Sequence, residues 1–81
     1  MEGFTVEKEL KTATDLAVLL MRQARELAAC KSCTAIAVGR AERPNSISNW
    51  DVRYAENASP ICIAAIGTIA AELQKKYDLS D

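Results

Sequence analysis

The stretch Asn49-Trp50-Asp51-Val52-Arg53-Tyr54 alternates residue by residue, with Trp50, Val52 and Tyr54 on one side of an extended chain and Asn49, Asp51 and Arg53 on the other. A period of two is what a strand with one buried face requires, whereas a helix would scatter the same residues around its axis. The pattern predicts a half-buried antiparallel strand over 49–55. Just upstream, Arg43-Pro44-Asn45-Ser46 carries turn chemistry: proline presets one turn dihedral, and the Asn and Ser side chains can bond to nearby backbone. A loop over 41–48 is the consequence. Before it, residues 33–40 place β-branched Thr34, Ile36 and Val38 at alternate positions and end at Gly39-Arg40, which predicts the partner strand of a hairpin.

Two strands alone are marginal in water, so the flanking segments must supply cover. Thr12 or Thr14 can cap a helix, Asp15 lies in its first turn, and Leu16, Leu20, Ala24 and Leu27 recur at helical spacing, predicting a helix over 12–30. Arg22, Arg25 and Glu26 lie on its opposite face, while Val18 and Met21 fall outside the main stripe. Ser59-Pro60 opens a second helix over 59–77 with a capping hydroxyl and a proline at the first helical position. Cys62, Ile66, Ile69, Leu73 and Tyr77 form its apolar stripe, and Lys75 and Lys76 suit the negative end of its dipole. Residues 1–11 read two ways: Phe4, Val6, Lys8 and Leu10 follow a strand's alternation imperfectly, and Val6, Leu10 and Ala13 suit a helix. A short extended segment is favoured.

These elements compose one small α+β domain over 1–81, in the order helix, strand, strand, helix. Both helices are expected on one face of the antiparallel sheet, and residues 4–10 could add a third strand. Leu16, Leu20, Leu27, Ile36, Val38, Trp50, Val52, Tyr54, Cys62, Ile66, Ile69 and Leu73 are the expected core anchors.

Composition enters through the thinness of that core. A chain of 81 residues buries only about 60% of the surface its unfolded form exposes. Much of the 49% apolar content is alanine, and Phe4, Trp50, Tyr54 and Tyr77 are the aromatics. The reverse side of the first strand would show Ala35, Ala37 and Gly39 to solvent, so a second copy is expected to complete the sheet. Val18, Met21, Ala35 and Ala37 are the residues expected at that contact.

The chain has no histidine, which excludes a histidine base, Ser/His or Cys/His nucleophiles and His-ligated metals. Asp15, Glu26, Asp51, Glu56 and Glu72 are scattered singly, and Gly3, Gly39 and Gly67 form no phosphate loop. No catalytic constellation and no cofactor are expected. A net charge of -1 argues against nucleic acid as a general partner. Trp50, Arg53 and Tyr54 could stack bases, but core packing is the stronger reading of two large aromatics beside Val52. Arg40, Arg43 and Arg53 are diluted by Glu42 and Asp51. No apolar run approaches the ~18 residues of a membrane span and Met1 to Thr5 lacks a secretory pattern, so a cytosolic setting without a membrane partner is expected.

Cys30-Lys-Ser-Cys33 is a C-x-x-C, a spacing that can share a metal or exchange a disulfide. Its expected place at the end of a helix disfavours thiolate. Cys62 would be the only further soft ligand, so Cys30, Cys33 and Cys62 are weak metal candidates and are read chiefly as small buried thiols, not as a disulfide framework.

The Asn49-Trp50 strand opening, the Ser59-Pro60-x-Cys62 helix start and the Tyr77-Asp78-Leu79 ending together resemble a group of short bacterial proteins of unknown function. The resemblance covers about the C-terminal half of the chain. It implies a bacterial cytosolic setting and transfers no catalytic residue. The function expected is a non-enzymatic, homodimeric interaction module, the alternatives being a thiol redox or zinc site at the C-x-x-C and nucleic-acid binding through the Trp50/Tyr54 strand.

Overall fold

The computed structural model describes residues 8–41 and 48–80. Its elements run β1 (Glu9–Lys11), α1 (Ala13–Ala24), a single 3₁₀ turn (Ala28–Cys30), β2 (Ala35–Arg40), β3 (Trp50–Glu56), α2 (Pro60–Lys76) and β4 (Tyr77–Leu79). This is a small α+β arrangement: two helices, an antiparallel β2–β3 sheet and a separate parallel pair, β1 with β4. Phe4, Val6 and the turn residues Arg43 to Ser46 lie outside the described residues.

Local chemistry explains where α1 begins. Thr12 Oγ1 accepts from the Asp15 backbone N–H at 3.1 Å, and Leu16, Leu20 and Ala24 then repeat every four residues into the core. The helix stops at Ala24, six residues short of the expected Cys30. At Leu27 the backbone is extended, which leaves that side chain 38% exposed instead of in the apolar stripe. The 3₁₀ turn that follows carries Cys30 into the core.

The sheet begins at Ala35, two residues later than expected from Cys33. Its register holds the main correction to the sequence reading. Ala37 pairs with Tyr54 and Val38 with Val52, so Arg53 is an extra residue on β3, a β-bulge. Trp50 and Val52 turn toward the core before the bulge, and after it Ala55 opposite Ile36 takes the inward place. Tyr54, expected as a core anchor, is therefore on the outer side and 60% exposed. Gly39 fits the same irregularity, since a Cβ there would stand 2.8 Å from Arg53 Nε.

In α2, Ser59 Oγ accepts from the Cys62 N–H at 3.1 Å and Pro60 occupies the first turn. The same hydroxyl donates to the Ala29 carbonyl at 3.2 Å, tying the helix start to the 3₁₀ turn. Cys62, Ile66, Ala70 and Leu73 are buried, and Ile69 packs partly against them. The helix ends at Lys76, and Tyr77, expected as its last stripe residue, is extended and opens β4. β4 has no counterpart in the sequence reading. The expected N-terminal extended segment exists as β1, but it pairs with β4 in register Glu9 with Tyr77 and Lys11 with Leu79 instead of adding to the hairpin. Lys8 meets Asp78 at 3.5 Å, and the Lys11 ammonium, held by Glu9 at 3.1 Å, lies 5.4 Å from the Tyr77 ring.

The core joins Leu16, Leu20 and Ala24 of α1 with Ile36, Trp50, Cys62, Ile66, Ala70, Leu73 and Leu79, and Val38 and Val52 pack at its margin. Trp50 is its largest fully buried side chain. Its indole Nε1–H donates to the Tyr77 carbonyl at 3.0 Å, so the buried polar atom has a partner.

Candidate interaction surface

β2 has β3 on one side and, among the described residues, no strand on the other. Beside that open edge, α1 and β2 enclose an apolar groove of about 570 Å³ lined by Ala13, Ala17, Val18, Met21 and residues 35–38, with Thr14, Arg22 and Arg25 at its rim. All four residues expected at a contact surface, Val18, Met21, Ala35 and Ala37, line this one groove. Val18 is 48% exposed although it is a β-branched hydrophobe on the helix. Its position follows from the helical period: Leu16 and Leu20 take the core face, and Val18 is rotated away from both.

The exposed side of α1 beside the groove is charged asymmetrically. Asp15 lies in the first turn of α1, Arg22 in the last, and Arg25 at its C-cap. Spacings of three and four place Asp15, Val18, Arg22 and Arg25 along one exposed stripe. Among the described residues none of these three charges forms an ion pair. An apolar seam with an acid at one end and two bases at the other can accept an elongated partner of the opposite polarity.

The cysteines are arranged differently from the expectation of three thiols. Cys30 is joined to Cys62 in a disulfide with Cα atoms 4.9 Å apart, and Cys33 is the free, buried thiol. The C-x-x-C is thus not a pair of thiolates: the bridge ties up Cys30 of the motif and Cys62, leaving Cys33 as the one thiol of the three weak zinc candidates. Spacing alone could not reveal the pairing, because three cysteines permit three different bridges.

Trp50 is fully buried and cannot stack on a base, so the Trp50/Arg53/Tyr54 arrangement does not form. Of the two aromatics only Tyr54 reaches solvent, beside Arg53 and with the acids Asp51 and Glu56 on the same strand. No described helix is long and apolar enough to cross a membrane.

Sequence reasoning missed a second constellation, which holds the two sheets together. Asn49, Trp50 and Gln74 converge on the start of β3 and on β4: Gln74 Nε2 donates to the Trp50 carbonyl at 2.7 Å and to Asp51 Oδ1 at 3.0 Å. Ser48 Oγ accepts from the Trp50 N–H at 3.2 Å in the same corner. The available signal was Asn49 at the opening of the strand, which the alternation assigns only to its polar side. No protein-family model matches the chain, and neither the curated proteins nor the solved structures contain a match to it.

Proposed function

We propose that this chain is a non-enzymatic association module that forms a homodimer through the α1/β2 groove. In the dimer, β2 pairs antiparallel with β2 of a second copy, extending the sheet to four strands, and the two α1 helices lie antiparallel with Val18 and Met21 between them. Both helices of each copy then shelter the Trp50 side of a continuous sheet.

The observation that carries the reading is the polarity of the α1 stripe. An antiparallel helix pair brings Asp15 of one copy toward Arg22 and Arg25 of the other, twice by symmetry, and also opposes the helix dipoles. A parallel arrangement would set like charges together. The edge of β2 against which no described strand lies adds a row of backbone groups that a second copy can satisfy. The cytosolic and bacterial setting implied by the resemblance remains part of this proposal.

Sedimentation across the micromolar range tests it. A concentration-dependent dimer is expected, and Val18→Glu, on a partly exposed position, should yield a folded monomer. A compact wild-type monomer throughout that range overturns the reading, as does a Val18→Glu protein that dimerises as strongly as the wild type.

A further inference from the structure

The three cysteines form one buried group with an unequal division of labour. Cys30, Cys33 and Cys62 all belong to the core cluster. Cys30 is bonded to Cys62, and Cys33 remains a thiol whose Sγ–H donates to the Ala35 carbonyl at 3.6 Å. The Cys33 backbone N–H also donates to the Cys30 carbonyl at 3.1 Å. That bond closes a four-residue turn, and in such a turn the first and last Cα atoms stand within about 7 Å of each other. The Cα separations that a disulfide tolerates are about 4.4–6.8 Å. Cys30 is therefore bonded to one sulfur and stands one turn away from a second cysteine, at a Cα separation whose range overlaps that of a disulfide.

We propose that Cys33 is the nucleophile of an internal thiol–disulfide exchange site, and that the protein interconverts between a Cys30–Cys62 and a Cys30–Cys33 disulfide. The Cys33 thiolate attacks Cys30 Sγ. The Cys30–Cys62 bond breaks as the Cys30–Cys33 bond forms, and Cys62 leaves as a thiolate that takes up the proton Cys33 released. One thiol and one disulfide stand on each side, so no outside oxidant or reductant takes part. Cys62 is the third residue of α2, where the positive end of the helix favours a leaving thiolate. Burial restricts the reaction to this internal nucleophile: Cys30 and Cys62 are 1% and 0% exposed, which shields them from a dissolved thiol. Exchange frees the start of α2 from its covalent tie to the 3₁₀ turn and moves the thiol from the foot of β2 to the helix. Cytosolic disulfides are usually catalytic or redox-sensing, so an exchanging bridge agrees with the cytosolic setting proposed above better than a static one does.

Thiol trapping tests the proposal on the full-length chain. Native protein is held without added thiol in mildly alkaline buffer, unfolded at intervals in acidic guanidinium containing N-ethylmaleimide, and mapped by peptide mass. The expected result is one label per molecule, divided between Cys33 and Cys62, with the Cys62 share rising to a plateau. In Cys33→Ser the label at Cys62 should vanish. Label confined to Cys33 at every time overturns the proposal, as does label on Cys30, which would mean attack at the other sulfur. Label on all three cysteines, or Cys62 labelled equally in Cys33→Ser, overturns it by showing that the bridge is absent or opened from outside.

Discussion

Asn49 and Leu79 bond to each other twice: the Asn49 side-chain N–H donates to the Leu79 carbonyl at 3.0 Å, and the Leu79 backbone N–H donates to Asn49 Oδ1 at 2.9 Å. The amide imitates a strand neighbour and fastens β4 to the start of β3. Because both groups are half-buried, removing the side chain leaves a donor and an acceptor without their partners. Asn49→Ala is expected to cost roughly 1–3 kcal/mol in urea unfolding. Amides of β1 and β4 should lose protection against hydrogen exchange well before those of β3.

Trp50 and Tyr54 lie two pairs of residues apart on one strand, yet they answer to opposite environments. Trp50→Ala removes the largest buried side chain and should cost on the order of 3–5 kcal/mol, a large share of what so small a chain possesses. Tyr54→Ala, beyond the bulge, should change stability by no more than about 0.5 kcal/mol. Thermal melts of the two variants side by side check the bulge directly, since equal losses would place both rings in the core.

The Cys30–Cys62 bridge closes a loop with a sequence separation of 32. Replacing both residues with alanine removes that restraint on the unfolded chain and should cost roughly 2–4 kcal/mol. Chemical denaturation with and without a reductant able to open the bridge gives the same difference from the wild type, whereas Cys30→Ala/Cys62→Ala should be insensitive to reductant.

Ser59 holds two groups with one hydroxyl, accepting from Cys62 and donating to Ala29. Ser59→Ala should cost about 1–2 kcal/mol, toward the upper end for a helix cap because the Ala29 carbonyl also loses its donor. Circular dichroism during unfolding would register the loss.

The charge pattern of the proposed dimer can be inverted. Asp15→Arg alone sets three bases along the α1 stripe and should weaken association at low salt. Adding Arg22→Asp and Arg25→Asp in the same chain restores opposite charges across the twofold axis and should recover the dimer. A triple variant no better associated than the single one would remove the electrostatic argument.

Much of this architecture can be read from single residues. Ser59-Pro60 marks the start of α2 to the residue, Trp50 and Val52 declare the inward side of β3, and Val18 stands off the α1 stripe because the helical period leaves it there. Other features carry no compositional mark. Nothing in Val52-Arg53-Tyr54 signals that Arg53 will be inserted without a partner, because a bulge is decided by the facing strand. Ala24 to Ala29 offers neither glycine nor proline to stop a helix, so the chain's turn toward α2 is legible only from the tertiary structure. β4 is three residues long, too short for any alternation to show, and its strand character comes from Lys11, Asn49 and Trp50.

The parallel β1–β4 ladder joins residues from opposite extremes of the described chain. Contacts of such long sequence separation raise contact order and slow the search for the native state, because loop-closure entropy must be met before the ladder gives anything back. Its three residue pairs join segments that the hairpin and both helices separate in the chain. This ladder is expected to close last on folding and open first on fluctuation, and limited proteolysis in native buffer, mapped by mass, should find its first cuts there.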